Sequence, residues 1–425
     1  MRTVALIDPY QGGHHLTYLR LFSQALLKLS CRVMTFSYEP AALQEWIAVH
    51  CPEMSDRFHS FEMRPLQPVP LPLLGRIRSI PGIGPVPQIN GILGKWKQAA
   101  TTIQAATQQI GHEPDLVFFD WLDSYFSHYL THHFVDRVFP YNWSGLYFRP
   151  GHLRFGKRSL PLLKAPLAHH SLARSRRCRA VGVVDEWIID TLQQELKTPV
   201  VPFPDFTDEA EPDSNYEVIH QIREKAKGRK VIGLIGALSK RKGIVTLLKT
   251  AQQCVEKDWL FVVVGALSEH QFHQDYGQRF PEEYQWVRSM ADAAPDNCFF
   301  HLQRIPEESQ FNALIQVCDV VFAAYENFPY SSNVLTKAAA FRKPVVVSQG
   351  FCMGKRVERF QVGITIPEGS VAHCIEALLH LLTENSPTAT DLSFDFEGLR
   401  SLHCVDRLQD SFKAVLELTK LQQVA

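Results

Sequence analysis

Short apolar runs alternate with longer amphipathic stretches along most of this chain. Residues 3–8 (Thr-Val-Ala-Leu-Ile-Asp) read as a strand, Gln11-Gly12-Gly13 as a turn, residues 15–29 as a helix and 32–37 as a second strand. Further strands are predicted at 115–119, 138–141, 180–184 and 199–203, with a helix over 186–196. The pattern then repeats with apolar runs at 231–236, 260–265, 299–302, 320–323 and 345–347, separated by helical stretches at 244–256 and 306–317. A helix over 405–422 carries Leu408, Phe412, Val415, Leu416 and Leu418 at helical spacing. Strand–helix alternation of this kind argues for α/β architecture with parallel sheets.

The 425 residues are enough for two cores. We expect an N-terminal domain over 1–204, a polar linker and entry helix over 205–229, and a second domain over 230–400. The helix in 401–425 is expected to pack back on the first domain. Hydrophobic residues make up 45% and charged residues 21%, as in a soluble globular protein, and no apolar run has the length of a membrane span. Met1–Asp8 meets charge too early for a signal peptide. Nine cysteines without C-x-x-C spacing read as reduced core thiols, which suits the cytoplasm.

Net charge is zero, but it is unevenly placed. Residues 1–200 hold 21 Lys and Arg against 15 Asp and Glu, and the remainder holds 23 against 29. Residues 63–112 and 149–179 contain basic residues and no acid. Residues 64–94 are also dense in Pro, Gly and aliphatics. These segments read either as solvated or packed faces, or as sites for an anionic acceptor or for peripheral contact with the inner face of a membrane. Nothing in the sequence points to nucleic acid.

Candidate chemistry clusters at strand ends. Gly12 and Gly13 permit close approach of a ligand to the backbone after the first strand, but their spacing is not G-x-G-x-x-G, which argues against a nicotinamide enzyme. His14 and His15 follow directly, and either reads as a hydroxyl-bonding or proton-carrying group. His15 equally reads as a helix cap. Asp120 and Asp123 follow another strand, where a carboxylate orients or deprotonates an acceptor hydroxyl, or caps a helix. In the second half, Arg241, Lys242 and Gly243 follow a Gly-ended strand. Ser331, Ser332 and Asn333 are capping residues opening a helix, whose free N–H groups suit a phosphate.

The order Gly236…Arg241-Lys242-Gly243, then Gly265, then Cys318-Asp319-Val320-Val321, then the segment from Glu326 to the Pro344-Val-Val-Val run, resembles the C-terminal half of a GT-B glycosyltransferase. The class is the retaining one that contains mannosyltransferases and sucrose and sucrose-phosphate synthases. The resemblance implies two Rossmann-like, doubly wound parallel-sheet domains facing a central cleft. It implies transfer of a sugar from a nucleotide sugar to a hydroxyl acceptor, anionic or lipid-linked, with retention and with neither metal nor cofactor. By the same resemblance Gly12, Gly13, Arg241, Lys242, Ser331, Ser332, Asn333 and Lys337 are donor-binding, and His14, Asp120 and Glu326 catalytic. The family's Glu-x7-Glu pair is altered, because Lys337 stands at the second Glu. Glu326 resembles the first, although an ungapped alignment places Pro329 there. An epimerase or phosphorylase on the same fold, or a non-catalytic nucleotide-sugar-binding protein, stays open at this stage.

Overall fold

The computed structural model describes residues 1–12, 15–66, 86–127, 130–150, 171–273, 279–382 and 393–421. Gly13, His14, most of the Pro-rich stretch 64–94 and residues 151–170 of the basic segment lie outside the described residues. The chain forms two compact units, 1–204 with 405–425, and 205–404.

The first unit is built on a seven-stranded sheet. Its strands are β1 (Thr3–Asp8), β2 (Arg32–Ser37), β3 (Phe58–Glu62), β4 (Leu116–Phe119), β5 (Trp143–Leu146), β6 (Cys178–Val183) and β7 (Val200–Pro202). They lie in the order β3-β2-β1-β4-β5-β6-β7, and every pairing is parallel. A parallel sheet covered on both faces needs strands that are apolar on both sides, and β1 and β4 are buried along their whole lengths. One face packs on Trp96 of the helix Val86–Ile110, which meets Phe119, Tyr125, Phe139 and Trp143 edge to face. The other face carries Phe22, Phe118 and Phe203. Phe412 of the C-terminal helix Asp406–Leu421 closes that cluster at 5.1, 5.1 and 5.3 Å between ring centres.

A strand expected at residues 138–141 is absent. The helix His132–Val138 occupies its start, and β5 begins at Trp143. Pro140 has no N–H for a ladder, so pairing begins beyond it.

The second unit is built on a six-stranded sheet. Its strands are β8 (Lys230–Ile235), β9 (Trp259–Val264), β10 (Cys298–His301), β11 (Val320–Ala323), β12 (Val345–Ser348) and β13 (Gly363–Ile366). The order is β10-β9-β8-β11-β12-β13, again wholly parallel. Gly265, just past β9, has φ +146°, and a Cβ there would lie 1.8 Å from the carbonyl oxygen of Gly236. The ends of β8 and β9 touch through bare backbone, which only glycine allows.

In both sheets the chain order reverses beside the first strand, between β1 and β4 and between β8 and β11. Crevices form at such reversals, beyond the carboxyl ends of the strands.

Candidate active site residues

In the second unit the reversal lies where β8 and β11 end. The chain leaves β8 into a single 3-10 turn, Lys240–Lys242, and turns at Gly243 with φ +75°, where a Cβ would lie 2.4 Å from the oxygen of Ala324. The segment after β11 docks on this turn: the Glu326 N–H donates to the carbonyl of Arg241 at 2.8 Å. Tyr325 is buried beneath, and its hydroxyl accepts from Lys242 Nζ at 2.5 Å. The guanidinium of Arg241 sits 4.4 Å from the ring centre of Phe328 and 5.6 Å from that of Tyr325. Burial by itself raises the Tyr325 phenol. The Lys242 charge and hydrogen bond, the Ser332 hydroxyl and the Arg241 charge outweigh it and bring the phenol below its ordinary value.

The helix Asn333–Ala340 starts at the same place. Ser332 is its N-cap residue, but its side chain does not bond the helix's own N–H groups; it bonds Tyr325. The first-turn amides are therefore left without the side-chain partner that a capping serine gives. Ser331 is also committed elsewhere, because its hydroxyl donates to the Asp205 carboxylate and accepts from Arg356. Arg356 and Asp205 form a buried ion pair at 3.3 Å, and the Asp205 N–H donates to His403 Nδ1 at 3.0 Å.

Glu326 lies 3.9 Å from Lys240 Nζ and accepts from Thr246 at 3.4 Å, while Lys240 makes its shorter pair, 2.7 Å, with Glu283. The Asn327 N–H donates to Glu368 at 3.0 Å. Lys240 to Lys242, Tyr325, Glu326 and the helix start are thus held at one sheet end.

Lys337 does not belong with them. It is 1% exposed, and its ammonium donates to Glu308 at 2.9 Å, to Asn312 at 2.5 Å and to the carbonyl of Asp208 at 3.2 Å. Three protons on three oxygens leave no donor for a ligand. The expectation that Lys337 binds the donor is corrected on that ground.

In the first unit Gly12 takes φ +82°, and Asp8 and Asp120 end β1 and β4 side by side: Ile7 is paired with Phe119, and the Asp120 N–H donates to the Ile7 carbonyl at 3.2 Å. Both carboxyl groups are fully buried. Asp8 Oδ2 bonds His15 Nδ1 at 2.7 Å, and Oδ1 accepts the Tyr10 N–H at 3.2 Å. Asp120 has no hydrogen-bond partner on either oxygen. Burial, then the Asp8 charge, push the Asp120 carboxyl well above the usual range; burial raises Asp8 too, although His15 works against it. A fully buried carboxyl does not reach an acceptor, so Asp120 is not the group that meets one directly. Asp123 accepts the N–H groups of Phe148 and Arg149, each at 2.8 Å, and so anchors that segment; burial raises it to about 6.

Sequence reasoning missed Asp8, Tyr325, Asp205 and Arg356. The first two stand at strand ends on either side of a sheet reversal, a signal readable once strand order is known. Asp205 and Arg356 meet only through tertiary contact.

Residues 215–393 match the family model of glycosyl transferases group 1. No curated protein matches the chain. Among solved structures it is similar to sucrose-phosphate synthase from Thermosynechococcus elongatus, at 15% identity and TM-score 0.65 with all of both chains covered. It is also similar to HepE from Anabaena in complex with UDP-glucose, at 16% identity and TM-score 0.62, covering 98% of this chain and all of that one. WaaG, a glycosyltransferase involved in lipopolysaccharide biosynthesis, is similar at 14% identity and TM-score 0.61, covering 98% and 99%. At these identities the likeness shows the fold, with two parallel-sheet α/β units.

Proposed function

We infer from a group 1 glycosyltransferase domain at residues 215–393 that this chain is a sugar transferase of the GT-B fold, and we propose that its second unit holds the donor's diphosphate at the end of β8 and β11. One observation carries this placement. Lys242, the Tyr325 phenol and Ser332 form a continuous hydrogen-bonded chain from the turn after β8 to the start of the helix Asn333–Ala340. A diphosphate gains negative charge at its bridging oxygen as the sugar departs. Fixed cations and helix N–H groups stabilise that charge more in the transition state than before it.

Lys242 and Arg241 supply the cations in this reading, and the amides of residues 332–334 supply the dipole end. The positive charge comes from the chain itself, which favours transfer without a metal. Glu326 contacts the donor sugar, and transfer proceeds with retention. UDP-glucose is the first donor to try, since it names the complex of the Anabaena neighbour. The first unit takes the hydroxyl acceptor. All nine cysteines are free, which supports a reducing compartment. No helix among the described residues is long and apolar enough to cross a membrane, and contact with a membrane face through residues 64–94 and 149–179 is part of the proposal.

The test is a thermal-shift screen with UDP, GDP and ADP and their sugars. A ligand at a hundred times its dissociation constant stabilises by about 2.7 kcal/mol. No shift with any of them overturns the donor site. Free epimer or sugar phosphate as product would replace transfer by epimerisation or phosphorolysis.

A further inference from the structure

We propose that His15 is the group that takes the proton from the acceptor hydroxyl, held for this by Asp8 with Asp120 behind it. The inference rests on the sugar-transfer reading above and adds the acceptor side of the reaction.

The sheet reversal between β1 and β4 brings two carboxyl groups together with no base paired to the second. Asp8 has two hydrogen-bond donors, His15 Nδ1 and the Tyr10 N–H, and Asp120 has none. Two adjacent buried carboxyl groups do not both ionise. The negative charge therefore belongs on Asp8, where the donors are, and the proton on Asp120. The pKa directions agree: Asp120 is raised well above the ordinary range.

An ionised Asp8 fixes the His15 tautomer. Nδ1 carries the hydrogen and donates it, which leaves the Nε2 lone pair as the basic position. Nε2 has no hydrogen-bond partner among the described residues, and the side chain keeps 22% exposure, whereas Asp8 and Asp120 keep none. The ring is steadied by Trp121 at 4.8 Å and Tyr10 at 5.5 Å between centres. Trp121 in turn stacks on Phe148 at 4.1 Å and 22°. Lys95, from the helix Val86–Ile110, faces the cluster through Tyr10, to whose hydroxyl it donates at 2.9 Å. A nucleophile-activating base oriented by a buried carboxylate is a recurring arrangement. Two carboxyl groups at this sheet end disfavour an anion there, so the acceptor presents a neutral hydroxyl to His15, whatever charge it carries elsewhere.

The step balances as follows in atoms and electrons. The acceptor oxygen bonds the anomeric carbon while the bond from that carbon to the phosphate oxygen breaks. The electron pair of the broken bond leaves on the nucleoside diphosphate, and the acceptor proton passes to Nε2. The imidazolium pairs with Asp8 and returns its proton to water. The balance holds for retention and inversion alike.

The experiment uses the full chain with UDP-glucose, GDP-mannose and ADP-glucose in turn as donor and water as acceptor, and reads release of the nucleoside diphosphate. His15→Asn keeps an amide near the Nδ1 position to bond Asp8 but has nothing at Nε2. Its turnover is expected to fall about 100-fold, with donor affinity within about threefold of the wild type. In His15→Ala, added imidazole should restore turnover at least about tenfold by supplying the missing base. Wild-type turnover in His15→Asn, or no response of His15→Ala to imidazole while it still binds donor, overturns the assignment of His15 alone. Absence of release by the wild type from all three donors removes the transfer reading, and this inference with it.

Discussion

The ammonium of Lys242 lies 2.5 Å from the hydroxyl of Tyr325 and 4.1 Å from the centre of its ring. The two come from different loops, 83 residues apart, and the contact fixes a cation that the loop after β8 would otherwise leave swinging. Lys242→Ala should weaken UDP about 30-fold, or roughly 2 kcal/mol, because it removes a charge-assisted contact. Tyr325→Phe keeps the ring but not the hydroxyl, and about three- to tenfold is expected. Isothermal calorimetry with UDP ranks the pair, and a larger loss for Tyr325→Phe than for Lys242→Ala would show that the phenol, not the ammonium, meets the phosphate.

Lys337 makes the opposite prediction. Its charge is matched inside the unit by Glu308, Asn312 and the Asp208 carbonyl. Lys337→Met leaves these oxygens unpaired and should cost about 3 kcal/mol in stability. Lys337→Glu, which restores the residue expected from the family resemblance, places a second carboxyl beside Glu308 and should cost more. Chemical denaturation measures both. A gain in nucleotide-sugar affinity on Lys337→Glu would return this position to the donor site.

His403 is pushed down to about 2, first by burial and then by the charges of Arg356 and Arg359. The unfolded chain binds its proton near pH 6.5, and the folded one does so only near 2. Stability from this group is thus complete above about pH 6.5 and is lost as pH falls below it, by at most about 1.4 kcal/mol per pH unit. His403→Asn keeps an acceptor for the Asp205 N–H and removes the titration. Denaturation midpoints between pH 7 and 5 should therefore fall less steeply in the variant, and equal slopes would assign the acid sensitivity elsewhere.

Gly265→Ala asks for a Cβ where the carbonyl oxygen of Gly236 stands 1.8 Å away, at a φ of +146° that L residues rarely adopt. The strand ends must part, and the turn carrying Lys240 to Lys242 moves with them. We expect loss of donor binding together with several kcal/mol of stability, of the order that strained backbone and core misfit bring. Folded, donor-binding protein with wild-type denaturation would contradict this close approach.

Much of the architecture is legible in the chain because the two sheets are parallel and buried on both faces. Their strands are unbroken apolar runs, such as Trp259–Val264, that periodicity finds easily. The exception at residues 138–141 is equally physical, since a proline inside an apolar run spoils the ladder. Arg241, Lys242, Ser332 and Glu326 are recognisable because glycine turns and cap residues mark their strand and helix ends. Lys337 misleads because its neighbours Glu308, Asn312 and Asp208 are far away in sequence, and its burial is decided by them. Asp8 and Tyr325 escape notice for a different reason. Each ends a strand and looks like ordinary punctuation until the strand order sets it beside Asp120 or Lys242.

Phe412 closes the aromatic face of a unit whose other members, Phe22, Phe118 and Phe203, lie within the first 204 residues. During synthesis the second unit, 205–404, is therefore complete before the first. The emerging amino-terminal half must wait with this face of its sheet uncovered until the last helix leaves the ribosome. A nascent chain of this protein is most vulnerable to aggregation and to chaperone capture at its beginning, and a premature stop after residue 404 harms the part of the molecule made earliest.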